Sequence, residues 1–91
     1  MVKVDDVDEN KFTIIPNPTL GDLEITLSEF LYDAENRIIV STIDSKILNS
    51  FTVNSSNPFI NIEEIQNGIY FIYIVNKNGD RISKVIRIVK M

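Results

Sequence analysis

The sequence predicts an all-β domain, an antiparallel β-sandwich of about seven strands. Three observations carry the prediction. Short β-branched and aromatic runs recur along the chain, and turn-forming residues interrupt them about every ten positions. No stretch sustains the apolar period of a long helix. Small all-β domains bury such strands by packing two sheets face to face.

The elements follow in order. Phe12-Thr13-Ile14-Ile15 reads as a short strand stopped by Pro16, which has no N–H for a ladder and holds its predecessor extended. Pro16 and Pro18 bracket Asn17, fixing two φ angles and giving a stiff bend. After Gly21, the apolar Leu23, Ile25 and Leu27 alternate with Asp22, Glu24 and Thr26, the mark of a half-buried strand. Ser28 to Asn36 fits a helical turn, a strand or a loop. Arg37 to Ile43 and Ile47 to Val53 are β-rich and joined by Asp44-Ser45-Lys46, which predicts a hairpin. Asn54 to Pro58 is a loop by composition, and Phe59 to Ile62 a short strand. Glu63 to Gly68 reads as one helical turn closed by Gly68 in the left-handed conformation. Ile69 to Val75, the turn Asn78-Gly79-Asp80 and the run Ser83 to Lys90 then make a terminal hairpin.

In Ile69 to Val75 both pleat faces are apolar, with Tyr70, Ile72 and Ile74 on one and Ile69, Phe71, Tyr73 and Val75 on the other. A two-layer sandwich covers one face of each strand. The other set is therefore covered by loops or a flanking segment, or lies exposed for a partner.

Composition narrows the function. The chain has 91 residues, enough for one domain, with 13 acidic against 9 basic side chains and a net charge of −4. That balance disfavours nucleic acid and anionic membranes as partners. Cys and His are both absent, which removes disulfides, thiolate and imidazole ligands, and Ser-His triads. We expect no enzyme and no cofactor. No run is long and apolar enough for a membrane span, and Met1 to Asp6 has no signal-peptide core; if the domain is exported, its export signal is expected upstream or the segment was cut from a longer chain. Residues 1–10 are acidic and lack an apolar period, suiting a linker or a frayed arm. The domain is expected over residues 11–91.

The order Phe12 to Ile15, Pro16-Asn17-Pro18-Thr19, Leu23-Glu24-Ile25, Val40 to Asp44, Ile60-Asn61-Ile62, Ile65, Gly68-Ile69-Tyr70-Phe71, Asn78-Gly79-Asp80 and Lys84 resembles the type A C-terminal sorting domain of type IX secretion cargo from Bacteroidetes. The resemblance covers about residues 12 to 91. It implies an immunoglobulin-like sandwich at the end of a longer secreted protein. It also implies recognition by the outer-membrane secretion machinery, removal by a sortase-like surface protease, and a cargo that is anchored at the cell surface or released. One departure stands out: Ile47 lies roughly where the family has a Gly after the residue matching Asp44, so this turn is expected to differ in shape.

Most of the shared residues make sense as determinants of the fold. Pro16, Asn17 and Pro18 form the bend, Gly68 supplies a positive φ, Tyr70 buries its ring while its hydroxyl reaches a polar edge, and Gly79 serves the turn. Candidates for partner contact are Lys84, Arg87 and Lys90 in the last strand, with Phe71 and Tyr73. The three cations also suit protection of an edge against strand pairing.

Other chemistry is weaker. Asp6-x-Asp8-x-Asn10 begins like a calcium loop but lacks its Gly and Glu, leaving a loose surface site as the alternative to a solvated acidic stretch. Glu63 and Glu64 are adjacent and so do not face each other across a substrate. Asn54-Ser55-Ser56 fits a glycosylation pattern and marks an exposed loop. Tyr32, Tyr70, Phe71 and Tyr73 support a runner-up reading, a carbohydrate-binding or adhesive module.

Overall fold

The structure is a computed structural model that describes residues 11–91. The acidic stretch 1–10, and with it Asp6, Asp8 and Asn10, lies outside the described residues. Seven strands form among the described residues: β1 (Phe12–Ile15), β2 (Asp22–Leu27), β3 (Arg37–Ser41), β4 (Ile47–Thr52), β5 (Phe59–Asn61), β6 (Gly68–Val75) and β7 (Ile86–Lys90). They make a three-stranded sheet in the order β1-β2-β5 and a four-stranded sheet in the order β4-β3-β6-β7, and all pairings between them are antiparallel. The predicted all-β sandwich is therefore present. Its strand order follows the immunoglobulin plan, with the fourth strand added to the edge of the third.

Period-two alternation places the core. Phe12, Ile14, Leu23, Ile25, Leu27 and Ile60 of the first sheet meet Ile38, Val40, Tyr70, Ile72, Ile74 and Ile88 of the second. Burying each aliphatic side chain stabilises the fold by about 1.5–3 kcal/mol. In β6 the even-numbered residues face this core, which answers the question its two apolar faces raised.

Several boundaries differ from expectation. Ser28 to Asn36 is a pair of turns. Tyr32 N–H bonds to Ser28 O at 3.1 Å, and Leu31 is fully buried beneath them. The segment Glu63 to Gly68 is not a helical turn, which corrects the sequence reading. It holds a single tight turn, Ile65 N–H to Ile62 O at 3.2 Å, while Glu63 N–H donates to the Asn61 side chain and Gln66 O accepts from Tyr70. Gly68 opens β6 with φ 153°, a region that favours glycine but is not the left-handed helical cap.

The terminal hairpin starts as predicted and is then interrupted. Asn76 Oδ1 accepts from Asn78 N–H and Asp80 N–H, and Gly79 turns the chain at φ 86°. Arg81 then comes opposite Val75. Past it the chain leaves the ladder, and the Ser83 hydroxyl takes over, accepting Ile74 N–H at 2.8 Å. Regular pairing resumes at Ile86 opposite Ile72.

Candidate functional site

The motif Pro16-Asn17-Pro18-Thr19 leaves the three-stranded sheet and crosses to the free edge of the other sheet. Both prolines follow cis peptide bonds. Asn17 lies alongside β7, where its Nδ2 donates to Arg87 O at 2.9 Å and its Oδ1 accepts Val89 N–H at 3.0 Å. One side-chain amide thus makes the two bonds that a neighbouring strand would make. Thr19 continues the contact with its own backbone, as Thr19 N–H donates to Val89 O and Met91 N–H to Thr19 O, each at 2.9 Å. The edge of β7 from Arg87 to Met91 is closed by these four bonds.

The Thr19 hydroxyl is buried and fixes the next turn, accepting Gly21 N–H and donating to Asp22 O. Gly21 has φ 144°, and an added Cβ would stand 3.1 Å from Glu63 Cα. Sequence reasoning used Gly21 only as a break. The signal that marks Thr19 is its place directly after the second proline.

Tyr70 packs its ring in the core while its hydroxyl donates to Gln66 O at 2.5 Å, four residues upstream. A tyrosine near the start of the sixth strand that bonds back to the preceding corner is a recurrent device of immunoglobulin-like sandwiches. At the β3–β4 turn the positive φ falls on Ser45, at 73°, and Ile47 simply begins β4. There Thr42 donates its hydroxyl to Asp44, and this bond holds the Asp44 carboxyl below its ordinary value.

The candidates for partner contact separate. Lys90 is only 6% exposed, and its Nζ donates to Asn67 Oδ1 at 3.1 Å. Lys84 is exposed beside the interruption before β7. Phe71, Tyr73 and Arg87 gather on the outer face of the four-stranded sheet, where Arg87 stands opposite Phe71. Tyr70 points to the opposite side of β6, so the four aromatic residues do not form one platform. Among the described residues, no group of acidic side chains is placed to hold a metal ion. No helix among them is long and apolar enough to cross a membrane.

A family model described as "Secretion system C-terminal sorting domain" matches residues 13–89. This chain belongs to that family. The matched span contains the clamp at Asn17 and Thr19, the corner at Gly68 and Tyr70, and the turn at Gly79. A search of curated proteins gives no match.

Proposed function

We propose that this sorting domain is a non-catalytic delivery tag whose folded surface, rather than a linear peptide, is read by the outer-membrane type IX apparatus. In this reading residues 11–91 are the tag and residues 1–10 an acidic link to a cargo on the N-terminal side. A sortase-like surface protease removes the tag, and the cargo is anchored at the cell surface or released. The chain brings no His and no Cys to a reaction, which supports the non-catalytic part.

One observation carries the proposal. The motif residues act on partners far away in sequence, since Asn17 bonds residues 70 and 72 positions downstream. A pattern used in this way exists only once the domain has folded. The test fuses residues 11–91 to a reporter with an ordinary export signal in a type IX-competent bacterium. The reporter is expected in the medium or at the cell surface. Retention in the periplasm contradicts the reading.

A further inference from the structure

The outer face of the four-stranded sheet is built unlike the rest of this acidic domain. Residues directly opposite one another on paired strands project to the same side. The pairings therefore set out three rows: Arg37, Val75 and Arg81, then Ile39 and Tyr73, then Ser41, Phe71 and Arg87. Guanidinium groups stand in the first and third rows, apolar groups between them, and a further apolar pair, Ile69 and Val89, beyond. An open groove of about 640 Å³ runs over this face, with Ile39 and Val75 at its floor and Phe71, Tyr73 and Arg81 in its lining, while Arg87 stands beside it, opposite Phe71. Ile43, Ile47 and Val85 also line it, and they remain 64%, 56% and 39% exposed.

Charge decides what fits there. The chain has 13 acidic and 9 basic residues, yet no carboxylate lines this groove. Asp44 and Asp80 lie in the flanking turns. The Asp44 carboxylate accepts from Thr42. Arg37 is held by Ser50, its Nε donating to the serine Oγ at 2.5 Å. Arg81 and Arg87 make no ion pair among the described residues. A guanidinium left beside an apolar surface is suited to a carboxylate that arrives with apolar neighbours.

We propose that this face docks an extended segment of a separate polypeptide in which two carboxylates flank an apolar side chain, in the pattern acid-x-apolar-x-acid. The spacing follows from β6. Arg87 is opposite Phe71 and Arg81 opposite Val75, four residues along the strand. At about 3.3 Å per residue the two cations are about 13 Å apart, the distance between residues four apart in an extended partner. The residue between its two acids meets Tyr73 and Ile39. A second copy of this chain is a poor occupant, because it brings a second set of arginines to the same face. The inference deepens the sorting reading and rests on it for the partner's origin, as the contact through which the export apparatus grips the tag.

The test titrates the full 91-residue chain with a capped peptide, Ser-Glu-Thr-Leu-Thr-Glu-Ser, and with its counterpart carrying Lys for both Glu. The acidic peptide is expected to move the amide signals of Phe71, Tyr73, Val75, Arg81 and Arg87 while leaving those of Glu24 and Thr26 on the far sheet unchanged. The double change Arg81→Glu and Arg87→Glu is expected to weaken acidic-peptide binding about tenfold and to favour the Lys peptide instead. Both side chains are exposed, and an unchanged melting temperature verifies the fold. The milder R81Q/R87Q variant is expected to fall between. No response to the acidic peptide, or an equal response to both, overturns the proposal, as does a concentration-dependent dimer that masks these signals.

Asp5, Val7 and Glu9 carry the same spacing within the chain. If Asp5→Asn with Glu9→Gln shifts the groove signals without added peptide, the occupant is the chain itself and the proposal fails. In the export assay, the R81E/R87E fusion is expected to stay in the periplasm while the parent is secreted. Full export of both overturns this inference and leaves the sorting reading intact. Retention of the parent overturns the sorting reading alone, because peptide binding is measured separately.

Discussion

At Asn17, the side-chain amide carries N–H donors and a carbonyl acceptor on one small planar group, and β7 presents Arg87 O and Val89 N–H to match. Asn17→Ala leaves both groups to water and loosens the last strand. It is expected to cost about 1–2 kcal/mol in urea unfolding and to speed exchange of the Val89 amide proton. Asn17→Asp keeps the acceptor but cannot donate to Arg87 O, so it rescues only part of the loss. Gly21 is constrained twice, by φ 144° and by the nearby Glu63 backbone, whereas a Cβ on Gly68 meets nothing closer than 3.9 Å. Gly21→Ala is accordingly expected to cost about 2–3 kcal/mol and Gly68→Ala less, a ranking that thermal unfolding of the two variants checks. Asp44 gives a pH signature. Its carboxyl is lowered chiefly by the Thr42 hydroxyl, so its contribution is full above the unfolded pKa and fades as pH falls through the folded one. Thr42→Val is expected to raise the Asp44 pKa toward the ordinary carboxylate value in an NMR titration.

Among the elements, β6 carries the most roles. Its even-numbered side chains fill the core, Phe71, Tyr73 and Val75 line the outer groove, and its entry is held by the Tyr70 corner. Tyr70→Phe keeps the ring packed and removes only the bond to Gln66 O. The expected loss is about 1 kcal/mol, read from a shifted urea midpoint with unchanged slope. β7 depends on neighbours on both sides, β6 through the ladder and residues 17–19 through the clamp. Cations were one way to protect a terminal edge, but Asn17 and Thr19 already cover it from Arg87 onward. Arg87 is thereby left for the face rather than the edge.

For the whole molecule, stability is the small remainder of large opposing terms, about 5–15 kcal/mol in domains generally. Deleting the chain from Arg81 onward removes Ile88 from the core and leaves the β6 edge, Asn17 and Thr19 without their partners. The truncated chain is expected to lose its cooperative urea transition, and the corresponding fusion to lose export. Unchanged secretion of that fusion contradicts a folded tag.

The strands and their inward faces were legible because period-two alternation is local. Leu23, Ile25 and Leu27 announce a buried face from six adjacent residues. The family was legible from the order of short motifs along the chain. The helical turn expected at Glu63 to Gly68 failed because side chains claimed its backbone, Asn61 taking Glu63 N–H and the Tyr70 hydroxyl taking Gln66 O. Lys90 read as a surface cation, but strand register turned it inward toward Asn67. By itself, then, the sequence determined which residues extend, which of them are apolar on one side, and the family to which they belong. Tertiary structure alone decided that Asn17 closes the edge of β7 and that arginines from three separate segments share one face of the four-stranded sheet, since hydrogen bonds and charges act through space and their partners here lie far apart along the chain.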